Sequence, residues 1–136
     1  TSKVILVMNG DSFCEVDFKK FWRFHLNKNS QASLVLLKIS DASRFGNVKL
    51  KNDNNIAAFQ EKKPGGGAGL INAGIYLINK DFIAAIPKNK IVSIENIFPT
   101  WIGKGFYGYK GNRKFIDIGT PESYAQAEEF FAHYQL

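Results

Sequence analysis

A single cysteine, Cys14, is all that 136 residues contain, so no internal disulfide framework can form and a reducing, cytoplasmic compartment is expected. No apolar run approaches the length of a membrane span and no secretory-leader pattern is visible, so no membrane partner is expected. The two histidines, His25 and His133, stand far apart with no companion at metal-ligand spacing, which argues against a zinc site. Cys14 has no base beside it, and no Ser–His–Asp set can be assembled, so nothing points to a covalent nucleophile. Long basic runs are missing too. The net charge of +6 is spread over Lys19, Lys20 and Arg23, over Lys49 and Lys51, and over Lys62 and Lys63, with no RNA-recognition signature. Nucleic acid is therefore not expected as a partner, and solvated surface lysines account for the charge. Phosphorylated small molecules suit the same sign.

What is present is a folding composition. Hydrophobic residues make up 45% and aromatic residues 14%, with 12 Phe, in a chain the size of one ordinary domain; such a chain can bury a sizeable core. Strand and helix patterns alternate. Val4 to Met8 is a continuous apolar run of the kind a strand shows when both faces are buried. Asp17 can cap a helix running to about Asn29, with Phe18, Phe21, Trp22 and His25 on one face. "ASLVLLKI" (32–39) and "LINAGIYLIN" (70–79) read as strong buried strands. "GNVKL" and "IAAFQE" flank the polar tip "KNDNN" as a hairpin. Two short helices follow, over 80–86 and 94–102, the second capped by Ser93. "FYGYK" and "KFIDI" are late strands, and Thr120 with Pro121 behind it starts a helix to about Tyr134. No linker divides the chain, so the expectation is one α/β unit with a mixed sheet.

"VMNGDSF" sets Asp11 where the first strand ends, and in open α/β sheets that end is where ligands bind. Asp117 in "FIDIGTP" has a matching strand-end context. Each Asp can be a simple turn cap; together, if they converge, they form a hard-oxygen pair for Mg²⁺. Lys62, after an apolar strand, can offset a phosphate charge. The glycines of "PGGGAG" are not a phosphate loop, because such a loop leads into a helix and carries Gly-Lys-Ser/Thr, whereas these lead into a strand; they read as a flexible hairpin connection. Asn72, Ala73 and Gly74 interrupt an apolar strand with small and amide residues, which suits either close approach of a ligand or a bulge.

"VMNGDSF", "SRFGNVKL", "FQEK", "GLINAGIYLI", "SIENIFP" and "FIDIGTPESYAQAEEFF" stand in the order seen in sugar-1-phosphate nucleotidyltransferases. The sequence most resembles the branch of D-glycero-D-manno-heptose 1-phosphate guanosyltransferases and mannose-1-phosphate guanylyltransferases. The resemblance implies a Rossmann-like α/β fold with a mixed sheet and transfer of a nucleotidyl group, GMP from GTP, to a sugar 1-phosphate. It implies Mg²⁺ held by Asp11 and Asp117, and contact of Glu61 and Lys62 with the sugar and its phosphate. Gly46, Asn72, Ala73 and Gly74 would line the sugar pocket, with Glu95 at its rim. The family's Gly-rich G-G-x-G-T-R-L loop and the K-P motif after it are not found. Residues 1–136 are thus expected to be the C-terminal part of such a domain, its sugar-phosphate and metal half, truncated at the N-terminus and inactive alone. The alternative is a non-catalytic sugar-phosphate-binding or interaction domain. In the family's fold the strand at Val4–Met8 lies beside one that this sequence lacks, so an open edge and a homo-oligomer built on it are expected.

Overall fold

The structure, a computed structural model, describes residues 2–111 and 114–134. Its centre is a four-stranded sheet of β1 (Val4–Met8), β6 (Gly69–Asn79), β3 (Ala32–Ile39) and β7 (Phe106–Gly111), in the spatial order β1-β6-β3-β7. β1 and β3 run antiparallel to β6, and β3 runs parallel to β7. The mixed α/β sheet expected from the sequence is therefore present.

Period-two alternation in the central strands sorts their side chains into two cores. Leu34 and Leu36 of β3, Tyr76 and Ile78 of β6 and Phe106 of β7 face one side. There they meet Val48 and Ile56 of the hairpin β4 (Asn47–Leu50) and β5 (Ile56–Gln60), and Phe98 and Trp101 of α3 (Ile94–Trp101). The short helix α2 (Lys80–Ala84) lies on the same side, its Phe82 ring 5.2 Å from Trp101. Gly108 has no side chain where the hairpin docks, and a Cβ there would fall 2.5 Å from Leu36 and 2.7 Å from Leu50. Val35, Leu37, Ala73, Ile75 and Leu77 face the other side, against Phe21 of α1 (Phe18–Asn27). A second two-stranded ribbon, β2 (Ser12–Cys14) with β8 (Phe115–Asp117), joins this layer. It carries α4 (Pro121–Ala132), whose Phe131 ring packs edge-on to Phe13 at 5.2 Å.

The helix ends follow the chemistry of their caps. The Asp17 carboxylate accepts the Lys20 N–H at 3.0 Å, and Thr120 and Ser123 form a reciprocal capping box behind which Pro121 opens α4. Ser93 occupies the N-cap position of α3, but its hydroxyl does not cap. It donates instead to the Glu95 carboxylate.

Three features differ from the sequence reading. β1 is an open edge of the main sheet, as expected, but its faces are not both buried: Leu6 is 46% and Met8 54% exposed. Of the predicted apolar face of α1, Phe21 and His25 are buried, whereas Phe18 and Trp22 are exposed over 45% and 40% of their surface. The glycine-rich stretch is not a hairpin turn, since β5 pairs with β4 and β6 belongs to the main sheet. The glycines carry the chain from one sheet to the other, and Gly65 and Gly67 take left-handed backbone conformations. Among the described residues no helix is long and apolar enough to cross a membrane.

Candidate active site

Where β1 ends, β6 departs from regular pairing. Leu34 pairs with Tyr76 and Leu36 with Asn72, so one residue of β3 faces three of β6. This bulge is possible because Gly74 adopts φ +76°, and a Cβ there would lie 2.8 Å from the Asn9 side chain. The Asn9 N–H donates to the Gly74 carbonyl at 2.8 Å, which seats the chain just before Asp11. The small and amide residues in "LINAGIY" thus mark a bulge that shapes the wall of a cleft.

The cleft is a cavity of about 790 Å³ between the sheet's end, the β4–β5 hairpin, α3 and the β2–β8 ribbon. Gly46, Glu61, Lys62, Asn72, Glu95 and Asp117 all line it. Six positions dispersed over 72 residues of sequence therefore line one cavity, counting from 46 to 117. Three others are placed differently. Ala73 is buried in the opposite core, because the alternation that turns Asn72 into the cleft turns its neighbour away. Gly74 does not line the cavity; it serves through its backbone, its N–H donating to Asn72 Oδ1 at 2.7 Å. Asp11 is exposed and is not among the lining residues. Its carbonyl accepts the Ile118 N–H at 2.8 Å, so it adjoins Asp117 across the ribbon.

Asn9 and Arg44 also line the cavity, and sequence reasoning assigned neither. Asn9 follows β1 directly in "MNGD", two residues before the assigned Asp11, and Arg44 in "SRFG" stands two residues before the assigned Gly46. The lining holds two cations, Arg44 and Lys62, against three carboxylates, Glu61, Glu95 and Asp117. A phosphate entering such a wall needs further positive charge. Mg²⁺ commonly takes one or two protein carboxylates and completes its shell with water and substrate phosphate. Asp117 and the adjoining Asp11 fit that donor set. Among the described residues no cluster of three or more His, Cys, Asp or Glu could hold a metal by itself.

Part of the cleft lining is organised by hydrogen bonds. Asn72 Nδ2 donates to the Tyr76 hydroxyl at 3.0 Å. That hydroxyl faces two acceptors, Glu95 Oε1 at 3.4 Å and Asn9 Oδ1 at 3.5 Å. Burial pushes the Tyr76 phenol up to about 12, so it stays protonated. Burial likewise raises the Cys14 thiol to about 11, which keeps it inert.

The fold and cleft define an α/β nucleotidyltransferase-type domain, and the family model for nucleotidyl transferases matches residues 1–133. The chain belongs to that family. It is 31% identical to the D-glycero-alpha-D-manno-heptose 1-phosphate guanylyltransferase of Aneurinibacillus thermoaerophilus, over 98% of this chain and 58% of that protein. It is 31% identical to the mannose-1-phosphate guanylyltransferase of Mycobacterium tuberculosis, over 89% of this chain and 35% of that one. Among solved structures, HddC from Yersinia pseudotuberculosis superposes with a TM-score of 0.83 at 32% identity, covering 96% of this chain and 56% of HddC. The chain thus spans little more than half the length of the heptose enzyme and of HddC.

Proposed function

We propose that the cleft binds a sugar 1-phosphate of the heptose or mannose type and forms the acceptor and metal side of a guanylyltransferase. The reaction would join GMP from GTP to the sugar phosphate and release pyrophosphate, in a cytoplasmic setting. The observation that carries this reading is a single cleft lined by Lys62 and Asp117 together with the tethered amide and carboxylate of Asn72 and Glu95. The names of the relatives support it: two are guanylyltransferases of sugar 1-phosphates, and HddC has also been solved with GMP-PN.

The chemistry asks the protein for little covalent work. An oxygen of the sugar phosphate attacks the α-phosphorus of the nucleotide in line with the departing pyrophosphate, so two polyanions must be brought together. Lys62 would hold the sugar phosphate as a point charge. Asp11 and Asp117 would hold Mg²⁺, which when bound supplies positive charge against the phosphate oxygens. Glu61, beside Lys62, and Glu95 would accept hydrogen bonds from sugar hydroxyls, and Asn72 would donate one. Gly46 keeps the wall narrow: a Cβ there would sit 3.0 Å from the Gln60 carbonyl oxygen.

Calorimetric titration of the chain with mannose 1-phosphate, with and without Mg²⁺, tests the reading. Binding is expected to strengthen with Mg²⁺, and Asp117→Asn is expected to abolish that strengthening. An absence of binding, or an affinity indifferent to both metal and Asp117, would overturn it.

A further inference from the structure

Tyr76 is 1% exposed and touches no bulk solvent, yet its hydroxyl joins three residues of the cleft wall drawn from three separate segments. Counting hydrogens fixes how it does so. Asn72 Oδ1 takes the Gly74 N–H, so the amide cannot flip and Nδ2 must face the phenol oxygen. That oxygen is thereby an acceptor, and its one proton is left for Glu95 Oε1 or Asn9 Oδ1, at nearly equal distances. Glu95 Oε2 takes the Ser93 hydroxyl. One Glu95 oxygen is thus held by Ser93, the other shares the Tyr76 proton with Asn9, and each keeps a second lone-pair site. Asn72 keeps one uncommitted N–H.

We propose that Tyr76 is a positioning residue: its hydroxyl presets Asn72 and Glu95 to meet the hydroxyl groups of a sugar, and ties them to Asn9 next to the metal side. This rests on the reading of the cleft as a sugar-phosphate site and deepens it. A free N–H beside fixed carboxylate lone pairs complements a polyol, whose hydroxyls both donate and accept. The Glu95 carboxylate repels a phosphate, which places the phosphate at Lys62 and the sugar ring at Glu95. Presetting matters because each side chain ordered on binding costs affinity, and here the ordering is done before the ligand arrives.

The test uses Tyr76→Phe, which keeps the ring packed edge-on to Phe98 at 5.2 Å and removes one oxygen. Calorimetry with mannose 1-phosphate and, separately, inorganic phosphate should show a loss of about tenfold for the sugar phosphate, the scale of one hydrogen bond. Inorganic phosphate should change by less than about twofold. In ligand-free ¹⁵N spectra the Asn72 side-chain amide and the Gly74 backbone amide should both shift. Glu95→Gln, made from the exposed side of the cleft, should give a similar selective loss, and the double variant should be no worse than either single one. Equal losses for both ligands would make Tyr76 a packing residue and overturn the proposal, as would unshifted Asn72 and Gly74 signals. If the unaltered chain binds inorganic phosphate but not the sugar phosphate, the sugar reading fails, and the Asn72 signals still decide whether Tyr76 positions that side chain.

Discussion

Along β6 stand two polar networks of similar size and opposite character, one around Tyr76 and one around Asn79. At Tyr76 the network opens on the cleft and leaves lone pairs and an N–H unspent. At Asn79 it closes on itself. Asn79 Nδ2 donates to the Ser30 carbonyl at 3.2 Å and to Gln31 Oε1 at 3.1 Å, so Oδ1 must face His25 Nε2 at 3.1 Å. His25 therefore carries its hydrogen on Nε2, and Nδ1 accepts the Ser33 hydroxyl at 2.8 Å. One network stitches a helix to a sheet; the other holds groups ready for a molecule that is not part of the chain. Unspent hydrogen-bonding capacity, more than polarity as such, separates a binding wall from a structural joint.

The largest effect that would test this contrast is at the closed end. Asn79→Ala leaves His25 Nε2–H and the Ser30 carbonyl without their partner in a buried place. It should cost about 2–4 kcal/mol of stability in urea denaturation. The affinity of the folded fraction for mannose 1-phosphate should stay within about twofold; a larger loss would dissolve the distinction. Lys62→Ala is the converse. Lys62 is exposed, so stability should move by less than about 0.5 kcal/mol, while loss of a charged contact to phosphate should weaken sugar 1-phosphate binding by about 10- to 100-fold.

Acid should also find the closed network first. Burial holds the His25 pKa below its ordinary 6.5, with the Asn79 hydrogen bond partly opposing. The fold therefore favours neutral His25. The stability this contributes is present above the unfolded value of 6.5 and is lost as pH falls below it and through the folded value. The urea midpoint should drop between about pH 7.5 and about pH 5.5, and His25→Gln should flatten that fall while lowering the midpoint at the upper end. A midpoint that does not move would mean the joint tolerates charge. The smallest effect concerns neither network. Exposed Ile5, Leu6 and Met8 on the edge strand should let the chain self-associate weakly, and Leu6→Lys should restore the monomer in light scattering without changing ligand affinity.

Much of the scaffold could be read in the sequence because β3 and β6 are long apolar runs and the caps at Asp17 and Thr120 are chemically explicit. Of the six cleft residues that were anticipated, Lys62, Asn72 and Asp117 stand beside strand ends or glycines, where local chemistry is visible; the roles of Gly46, Glu61 and Glu95 came from the family resemblance alone. Other features left little trace. β2 is three residues long, too short for a period to register, and its pairing with β8 joins segments about a hundred residues apart in sequence. Tyr76 reads as one more apolar strand residue, since nothing local says that its oxygen will meet Asn72, Glu95 and Asn9. The bond between His25 and Asn79 spans 54 residues. Ala73 could have been placed correctly: a strand that turns Asn72 to one face must turn its neighbour to the other.

The bulge in β6 obeys a rule of parity. Three residues of β6 stand where one of β3 does, so the surplus is two, and an even surplus leaves every later side chain on its original face. Tyr76 and Ile78 still point toward α3, and Ile75 and Leu77 still point toward α1. Removing a single residue here would exchange the two faces for the remainder of the strand, sending the phenol into the α1 layer and Leu77 toward the cleft. Length variation in this segment is thus confined to steps of two, and an alignment of related chains should show gaps of even size between Asn72 and Tyr76.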